Sequence, residues 1–321
     1  MRELKRQLQE ERKRINAVLE RECSLLPPLV RPVAEHILNS GGKRLRPLLT
    51  AFMAKVFDCD HADIYDLGAA VELCHMATLL HDDIFDHAAT RRGKTSAHAI
   101  FGVTPVMLAG DAMLGQAAHL ASRQCNGDIV SCFGQAIVHT AQGEVAEFQS
   151  LGRIDLPYEE YLEIISGKTA WALRSACEVA AIRSGAEPEA VQAAARFGME
   201  LGIAFQIIDD ALDIAPEKII GKPAGGDIRE GKSTPLIRFY WESLPSDRAA
   251  AFAAKFKERS FEESEVQAAI EAMRKEKLDV RTRRLAAQHL QNALEALKVL
   301  PEGPGRDTLV KVSEFICSRN N

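Results

Sequence analysis

The chain has 321 residues, of which 46% are hydrophobic and 26% are charged, so it is long enough to bury a sizeable core. Its net charge of −5 at pH 7 excludes the broad basic field expected of a protein that binds nucleic acid. Seven scattered cysteines, a charged N-terminus and the lack of any long apolar stretch predict a cytoplasmic protein with free thiols and no integral membrane segment.

Proline-free stretches rich in Ala, Leu, Glu, Gln and Met fill most of the chain, and the β-branched runs typical of strands are missing. We therefore predict an all-α protein, with residues 1–321 forming a single-domain helical bundle. The predicted helices cover about 1–22, 28–40, 44–57, 62–85, 104–123, 127–150, 158–184 and 188–214, followed by several from 231 to the end. A proline-bearing loop at about 216–223 leaves open a smaller C-terminal subbundle.

The predicted helix 62–85 ends in an acidic cluster. Asp82 and Asp86 are four residues apart and share a helix face, and Asp83 lies beside them. A lone DDxxD is most often a solvated helix end. Here the preceding run from Leu67 to Leu80 is apolar nearly all round, which indicates a buried helix whose end faces a cleft. Carboxylates gathered there need cations to balance them.

A second acidic cluster repeats this pattern, because Asp209, Asp210 and Asp213 also follow an apolar helical run. Carboxylate oxygens without nearby His or Cys suit Mg²⁺, with Mn²⁺ as a substitute. Two facing clusters would hold a metal-bound diphosphate, and the aspartates would serve charge neutralisation and positioning.

Basic residues accompany the acidic clusters. GGKRLRP, residues 41–47, contains Lys43, Arg44 and Arg46, and Arg91 and Arg92 follow the first cluster. The guanidinium group of arginine can donate two parallel hydrogen bonds to phosphate oxygens. Taken singly, each cation is most simply a solvated surface group. Together with the carboxylates, they predict an anion site.

A third phosphate signal lies at residues 226–233, which fit the G-x-x-x-x-G-K-[ST] loop of nucleotide hydrolases. That loop needs a preceding β-strand, whereas the preceding residues are helix-like. Asp227 and Glu230 would also repel a phosphate held by the loop. A P-loop ATPase is therefore a weak interpretation, although Lys232 remains a candidate phosphate ligand.

Several motifs together resemble those of the trans-isoprenyl diphosphate synthases, the polyprenyl synthetase family. They are GGKRLRP, LLHDDIFDHAATRRGK, GKT at 167–169, FQIIDDALD and GKPAGGDIREGK. The resemblance implies an isoprenoid synthase fold around a central cavity and a homodimer. It also implies Mg²⁺-dependent condensation of an allylic diphosphate with isopentenyl diphosphate.

The resemblance also implies a role for each matching residue. The implied metal ligands are Asp82, Asp83, Asp86, Asp209, Asp210 and Asp213. The implied catalytic group comprises Asp82, Asp83, Asp86, Arg91, Lys168, Asp209 and Asp210. The isopentenyl diphosphate pocket would contain Lys43, Arg46, His75 and Arg92. The allylic side would contain Arg91, Lys168, Thr169, Gln206, Lys222 and Lys232.

Product length is predicted from the helix that ends at Asp82. Ala77 and Thr78 are small where short-chain members of the family resemble one another in carrying aromatic residues, and Cys74 continues the small positions. Small residues suit tight helix packing as well. We nevertheless predict an open tube, with Phe133 as a candidate floor, and a medium- or long-chain all-trans product of the octaprenyl type used in quinone side chains, made from farnesyl or geranylgeranyl diphosphate.

Other functions are weaker. A short-chain farnesyl or geranylgeranyl diphosphate synthase is the main alternative. A terpene cyclase would not need the cations of the isopentenyl pocket, and a noncatalytic synthase subunit would be expected to lose its aspartates.

Overall fold

The computed structural model describes residues 2–217 and 223–318, and most of these residues are helical. The first helices are α1 (Arg2–Ser24), α2 (Arg31–Asn39), α3 (Leu45–Val56), α4 (Ile64–Phe85), α5 (Ala97–Phe101), α6 (Val103–Ser122), α7 (Gly127–Ser150) and α8 (Tyr158–Ile165). A π-helical turn, Ser166–Ala170, joins α8 to α9 (Trp171–Arg183), and α10 (Pro188–Ala211) continues into a 3₁₀ turn, Leu212–Ile214.

The remaining helices are α11 (Gly226–Glu230), α12 (Pro235–Ser243), α13 (Ser246–Glu258), α14 (Glu263–Lys275), α15 (Leu278–Leu297) and α16 (Pro304–Cys317). Within the described ranges, the strands are limited to β1 (Thr90–Arg91) and β2 (Lys94–Thr95). They form an antiparallel hairpin in which Arg91 is opposite Lys94. The prediction of an all-α protein is therefore confirmed.

The chain divides into two compact units. The first comprises Met1–Ile137, Ala172–Gly198 and Glu295–Val312, and the second comprises Val138–Trp171, Met199–Leu294 and Ser313–Asn321. The single domain expected over residues 1–321 stays a prediction.

In the first unit, α4 is enclosed by other helices and packs mainly against α6 and α3. Its buried side chains face several directions, as predicted for a helix that is apolar nearly all round. The packing on α6 is close at Gly110, where an added Cβ would lie 2.1 Å from Nε2 of His81. This glycine therefore allows the end of α4 to approach α6.

The second unit has two apolar clusters. One joins α8 to α10 through residues such as Tyr161, Ile165 and Ile207. The other surrounds Phe256 of α13, which is fully buried against α12 and α14. The first cluster places α8 beside the end of α10, where the second acidic cluster lies.

The predicted helix boundaries agree with the structure to within a few residues over most of the first 214 positions. The predicted helix 158–184 is interrupted by the π-helical turn, and the predicted helix 188–214 ends in a 3₁₀ turn. No helix in the described part of the chain combines the length and apolar character that a membrane span requires.

Candidate active site

The first acidic cluster lies at the C-terminal end of α4, as predicted. Asp82 and Asp83 belong to the last turn, and the N–H of Asp86 donates to the carbonyl oxygen of Asp82 at 2.8 Å. Negative charge at this end of a helix is unfavourable because the helix dipole is also negative there. The cluster therefore requires compensating cations.

Arg91 supplies one of these cations to Asp83. Its Nε donates at 2.7 Å to each carboxylate oxygen, and its Nη2 lies 2.6 Å from Oδ1. Asp83 is buried, whereas Asp82 is half-buried and Asp86 is exposed. The structure thus distinguishes Asp83, which is paired with an arginine, from the two more accessible aspartates.

The loop before α3 brings cations to the same unit. Lys43 is exposed, and Arg46 lies half-buried in the first turn of α3. Nε of Arg46 is buried and has no hydrogen-bond partner among the residues that the structure describes. Burial lowers the pKa of Arg46, although attraction to Glu72 opposes this shift. An anion that accepts from Nε would satisfy this donor.

His75 lies on α4, two turns before Asp82. Burial lowers the pKa of His75 well below its ordinary value, and repulsion from neighbouring guanidinium groups adds to the shift. These groups belong, in decreasing order of effect, to Arg46, Arg92, Arg91 and Arg44. His75 is therefore a neutral hydrogen-bonding group at neutral pH, in strongly positive surroundings.

Arg92 is exposed in the tight turn of the β1–β2 hairpin and adopts a positive φ of 53°. Its Nη1 donates to the carbonyl oxygen of Gly41 in the loop before α3. The hairpin thereby places Arg92 beside the loop that carries Lys43. The structure thus brings the predicted isopentenyl residues into one part of the first unit.

In the second unit, Lys168 lies in the π-helical turn. An added Cβ on Gly143 of α7 would lie 2.3 Å from the backbone nitrogen of Lys168, so the glycine permits a close approach of the two segments. The Lys168 ammonium lies 2.8 Å from Glu144 and 2.7 Å from Glu147. Single π-helical turns are frequent at functional sites.

Lys232 reaches the same carboxylate. Its Nζ lies 3.2 Å from Glu147 and 2.6 Å from Glu230. Although burial opposes ionisation, attraction to Lys232 and Lys168 holds the pKa of Glu147 below its ordinary value. Glu147 therefore contacts two of the predicted allylic lysines, Lys168 and Lys232.

Sequence reasoning missed Glu144 and Glu147. The two are three residues apart, so they share a face of α7. That spacing was the available signal, but it is equally common on solvated helix faces.

Asp210 ends a chain of hydrogen bonds. Thr169 donates to Gln206 at 2.8 Å, and Gln206 donates to Asp210 at 2.8 Å. The Tyr161 hydroxyl donates to the other Asp210 oxygen at 2.6 Å. Burial raises the pKa of Asp210 to about 7, although the bonds from Tyr161 and Gln206 lower it. The network connects Thr169 and Gln206, both predicted site residues, to the second acidic cluster.

The three aspartates of the second cluster have different surroundings. Asp209 is exposed, whereas Asp213 is buried in the 3₁₀ turn. The Asp213 carboxylate accepts from the backbone N–H groups of Gly226 at 3.1 Å and Asp227 at 3.2 Å. Asp213 thus fixes the start of α11. Lys222, which was predicted to bind the allylic diphosphate, lies outside the described residues.

The P-loop interpretation conflicts with this geometry. Residues Gly226–Glu230 form α11, and the described residues before it belong to α10, the 3₁₀ turn and a loop, with no strand among them. Asp213 occupies the backbone N–H groups that a bound phosphate would use.

The acidic residues alone do not form a complete metal site in the described part of the chain. Within residues 2–217 and 223–318, no three His, Cys, Asp or Glu side chains are close enough together to hold a metal by themselves. Mg²⁺ commonly takes one or two carboxylates and completes its coordination with waters and substrate phosphates. The carboxylate oxygens at the end of α4 fit that behaviour, and so do those at the end of α10.

The predicted chain-length residues lie in the first unit. Ala77 is fully buried, and Thr78 and Cys74 are half-buried. Phe133 of α7 is buried as well. Leu67 precedes Cys74 by seven residues, so it lies on the same face of α4 about two turns further from Asp82.

Leu67 belongs to an apolar cluster with Ile129 and Cys132 of α7 and Val179 of α9. Cys132 in turn lies 3.3 Å from a Glu178 oxygen. Sequence reasoning did not identify this cluster, because contacts between distant segments cannot be read from one helix.

Comparisons with known proteins support the same family. The sequence profile described as polyprenyl synthetase matches residues 27–273. The geranylgeranyl diphosphate synthase of Sulfolobus acidocaldarius is 33% identical over 316 residues, with 95% of each chain covered. The octaprenyl diphosphate synthase of Escherichia coli is 30% identical over 308 residues, again with 95% of each chain covered.

A solved structure confirms the fold. The polyprenyl synthase of Caulobacter crescentus, complexed with calcium and isoprenyl diphosphate, is similar to this chain with a TM-score of 0.93 and 32% sequence identity. The similarity covers 99% of this chain and 97% of that one. The architecture is therefore an all-α isoprenoid synthase fold.

Proposed function

The chain belongs to the polyprenyl synthetase family, and we propose that it is a prenyltransferase that condenses an allylic diphosphate with isopentenyl diphosphate. The observation that carries this proposal is the group of guanidiniums around His75. These positively charged groups repel one another, and a bound polyanion such as diphosphate would offset the repulsion.

We assign the isopentenyl diphosphate to this positive region. The proposed contacts are Lys43, Arg46, His75 and Arg92. The buried Nε of Arg46 supports the assignment because it lacks a hydrogen-bond partner within the described residues. His75 would donate to the diphosphate as a neutral imidazole.

We assign the allylic diphosphate to a second group of residues, carried over from the family. They are Arg91, Lys168, Thr169, Gln206, Lys222 and Lys232. Two observations support the assignment in the second unit. Glu147 forms salt bridges with both Lys168 and Lys232. The chain of hydrogen bonds from Thr169 through Gln206 ends at Asp210.

We further propose that the enzyme requires Mg²⁺, for which Mn²⁺ can substitute. The proposed ligands are Asp82, Asp83, Asp86, Asp209, Asp210 and Asp213. The metal would neutralise the diphosphate that leaves the allylic carbon. Asp82 is half-buried, and Asp86 and Asp209 are exposed, so these three are the leading candidates for direct coordination.

The reaction begins when the allylic carbon–oxygen bond breaks and its electron pair leaves with the diphosphate. Lys168, Lys232 and Arg91 stabilise the negative charge that develops on the departing group. The double bond of isopentenyl diphosphate then attacks the allylic cation and forms the new carbon–carbon bond. A proton leaves the resulting cation for the released diphosphate, and the product retains its own diphosphate. Apolar surroundings protect the cation from water.

We propose a homodimer as the assembled form. The start of α6 exposes Val103, Met107 and Leu108, and Ile100 of α5 is also exposed. Apolar residues clustered on a surface in this way are typical of an interaction site. Sedimentation equilibrium would test the assembly. The cytoplasmic location stays a prediction.

We propose a medium- or long-chain all-trans product of the octaprenyl type, because Ala77, Thr78 and Cys74 leave little side-chain volume along α4. A geranylgeranyl product is the second candidate. It is favoured by Leu67, which precedes Asp82 by about 22 Å of helix, or roughly four isoprene lengths, at 1.5 Å of rise per residue.

Incubation of the purified protein with labelled isopentenyl diphosphate and an allylic primer tests the reaction. Geranyl, farnesyl and geranylgeranyl diphosphates are compared, each with Mg²⁺ and with chelator. Incorporation of label into a longer prenyl diphosphate is expected only with Mg²⁺. Failure with every primer would refute the proposed function, and hydrolysis of ATP in a parallel assay would favour the ATPase.

A further inference from the structure

Arg44 lies in sequence between two proposed substrate ligands, Lys43 in the α2–α3 loop and Arg46 in the first turn of α3, and it has an unusual backbone. Its φ of 53° and ψ of 40° place it in the left-handed region. Residues other than glycine seldom adopt this conformation, which persists where surrounding contacts hold it. An arginine at such a position indicates that its side chain makes contacts that offset the strain.

The Arg44 guanidinium is buried, and each of its three nitrogens donates a hydrogen bond. Its Nε donates to Oδ1 of Asn16 on α1 at 3.1 Å. Its Nη1 donates to Oε1 of Glu72 on α4 at 3.1 Å, and its Nη2 donates to the carbonyl oxygen of Leu38 on α2 at 2.6 Å. Arg44 therefore ties the loop to three helices.

Glu72 provides the negative charge for this arrangement. It is 4% exposed, and its Oε2 is buried without a hydrogen-bond partner in the part of the chain that the structure describes. Its charge also attracts Arg46 and Arg92. A buried carboxylate is costly unless cations surround it, so its location defines where these cations are stable.

The loop backbone lies directly against the same groups. A Cβ added to Gly42 would lie 3.1 Å from Nη1 of Arg44 and 2.8 Å from Nη1 of Arg92. Lys43 follows Gly42 and precedes Arg44, so the anchored guanidinium determines the course of the backbone that carries Lys43. Arg46 lies two residues after Arg44, in the first turn of α3.

We propose that Arg44 and Glu72 form a buried positioning pair, which fixes Lys43 and Arg46 for isopentenyl diphosphate without touching the substrate. The inference rests on the proposed function, because it assigns that substrate to the surrounding cations. It separates Arg44 from its neighbours of the same charge. Lys43 and Arg46 bind the substrate, whereas Arg44 holds the loop.

The Arg44→Lys variant tests the pair, because it keeps the charge and removes the planar fork. The KM for isopentenyl diphosphate is expected to rise about tenfold, as for the loss of a hydrogen bond to a charged group. The allylic KM and kcat are expected to change by less than about twofold, because the other contacts are untouched.

Arg183→Lys is the matched control. Arg183 forms a bidentate salt bridge with Asp63 in the same unit, with Nε 3.1 Å from Oδ1 and Nη2 2.8 Å from Oδ2. This variant is expected to lower Tm while leaving the KM for isopentenyl diphosphate unchanged. A general loss of packing would therefore be distinguished from a loss of positioning.

Asn16→Ala provides a milder variant in case Arg44→Lys does not fold. It removes one contact of the guanidinium and is expected to raise the KM for isopentenyl diphosphate about threefold. Glu72→Gln is expected to raise the same KM, with less than additive effects in the Arg44→Lys background, as for two residues that act together.

Calorimetric titration with isopentenyl diphosphate separates this inference from the proposed function. Wild-type protein that binds the ligand but does not elongate a primer would refute the function alone. Equal Kd values for wild type and for both Arg44→Lys and Asn16→Ala would overturn the positioning pair. An equal rise of KM for both substrates would also overturn it, and a wild type that does not bind the ligand would refute both proposals.

Discussion

Arg91 holds the Asp83 carboxylate through Nε at 2.7 Å from both oxygens and through Nη2 at 2.6 Å from Oδ1. This pair gives the DDxxD segment an internal asymmetry. Asp83 is buried against this cation, whereas Asp82 is half-buried and Asp86 is exposed. The metal requirement should therefore depend unequally on the three aspartates.

The first prediction concerns this asymmetry. Asp82→Ala and Asp209→Ala are each expected to lower kcat by more than about 100-fold, because each removes charge that organises the metal at the leaving diphosphate. Asp83→Asn is expected to raise the Mg²⁺ concentration for half-maximal rate less than Asp82→Ala does, because Asp83 is buried and Arg91 compensates its charge. Metal titrations of steady-state rates measure both effects.

Asp128→Ala, at an exposed position of α7, is the control for the loss of a surface carboxylate. Thermal melting checks that the variants are folded. Near wild-type turnover of either alanine variant, or full activity in chelator, would contradict the metal assignment.

The second prediction concerns the isopentenyl pocket. Arg46→Ala and His75→Ala are expected to raise the KM for isopentenyl diphosphate more than the allylic KM, because a uniform binding contact acts mainly on KM. His75→Gln is expected to stay within about threefold of wild type, because the low pKa of His75 makes it a neutral donor that an amide replaces. Lys232→Ala should show the opposite bias. Equal effects on both substrates would refute the assigned roles.

The third prediction concerns Glu147, which the sequence did not reveal. Its contacts at 2.7 Å with Lys168 and 3.2 Å with Lys232 anchor both lysines. Glu147→Ala is expected to raise the allylic KM about tenfold, because both ammonium groups lose a charged partner. Glu144→Ala is the matched control, since Glu144 contacts Lys168 at 2.8 Å and should have a smaller effect. Equal effects would show that Glu147 does not act as a common anchor.

The fourth prediction concerns pH. Burial raises the pKa of Asp210 to about 7, and the bond from Tyr161 lowers it because that bond favours the ionised carboxylate. Tyr161→Phe removes the bond, so the pKa of Asp210 should rise further. Because a metal ligand must be deprotonated, rates and Mg²⁺ affinity should then fall off at a higher pH than in wild type.

Tyr158→Phe is the control for this shift. The Tyr158 ring lies 5.9 Å from that of Tyr161, and the change removes a hydroxyl from the same helix. The acidic limb of kcat against pH should move only in the Tyr161 variant. A limb that moves to lower pH would contradict the assignment.

The sequence predicted the helices and the two acidic clusters because both depend on local periodicity. It did not distinguish Arg44 from Arg46, since the direction of each side chain depends on the left-handed backbone at position 44. The π-helical turn at Lys168 was also missed. Its close approach to Gly143 of α7 involves residues far apart in the chain, and no local pattern records it.

The last prediction concerns product length. Under the proposed function, the prenyl chain grows along α4 away from Asp82, past Thr78, Ala77 and Cys74. An aromatic side chain at Ala77 or Thr78 would fill the space that the second and third isoprene units need. Ala77→Phe and Thr78→Phe are therefore expected to shorten the product. Chromatography of dephosphorylated products made from farnesyl and isopentenyl diphosphates measures their length.

The wild-type product decides between the two candidate lengths. A chain of octaprenyl length requires that the tail pass Leu67, whereas a geranylgeranyl product requires that Leu67 and its contacts with Ile129, Cys132 and Val179 stop it. If they do stop it, Leu67→Ala should lengthen the product by about one isoprene unit, since one helical turn rises about 5.4 Å. Leu49→Ala, an equally buried change on α3, is the control and should lower stability alone. A wild type that stops at geranylgeranyl length would refute the open tube, and unchanged lengths in all α4 variants would show that the chain grows along another helix.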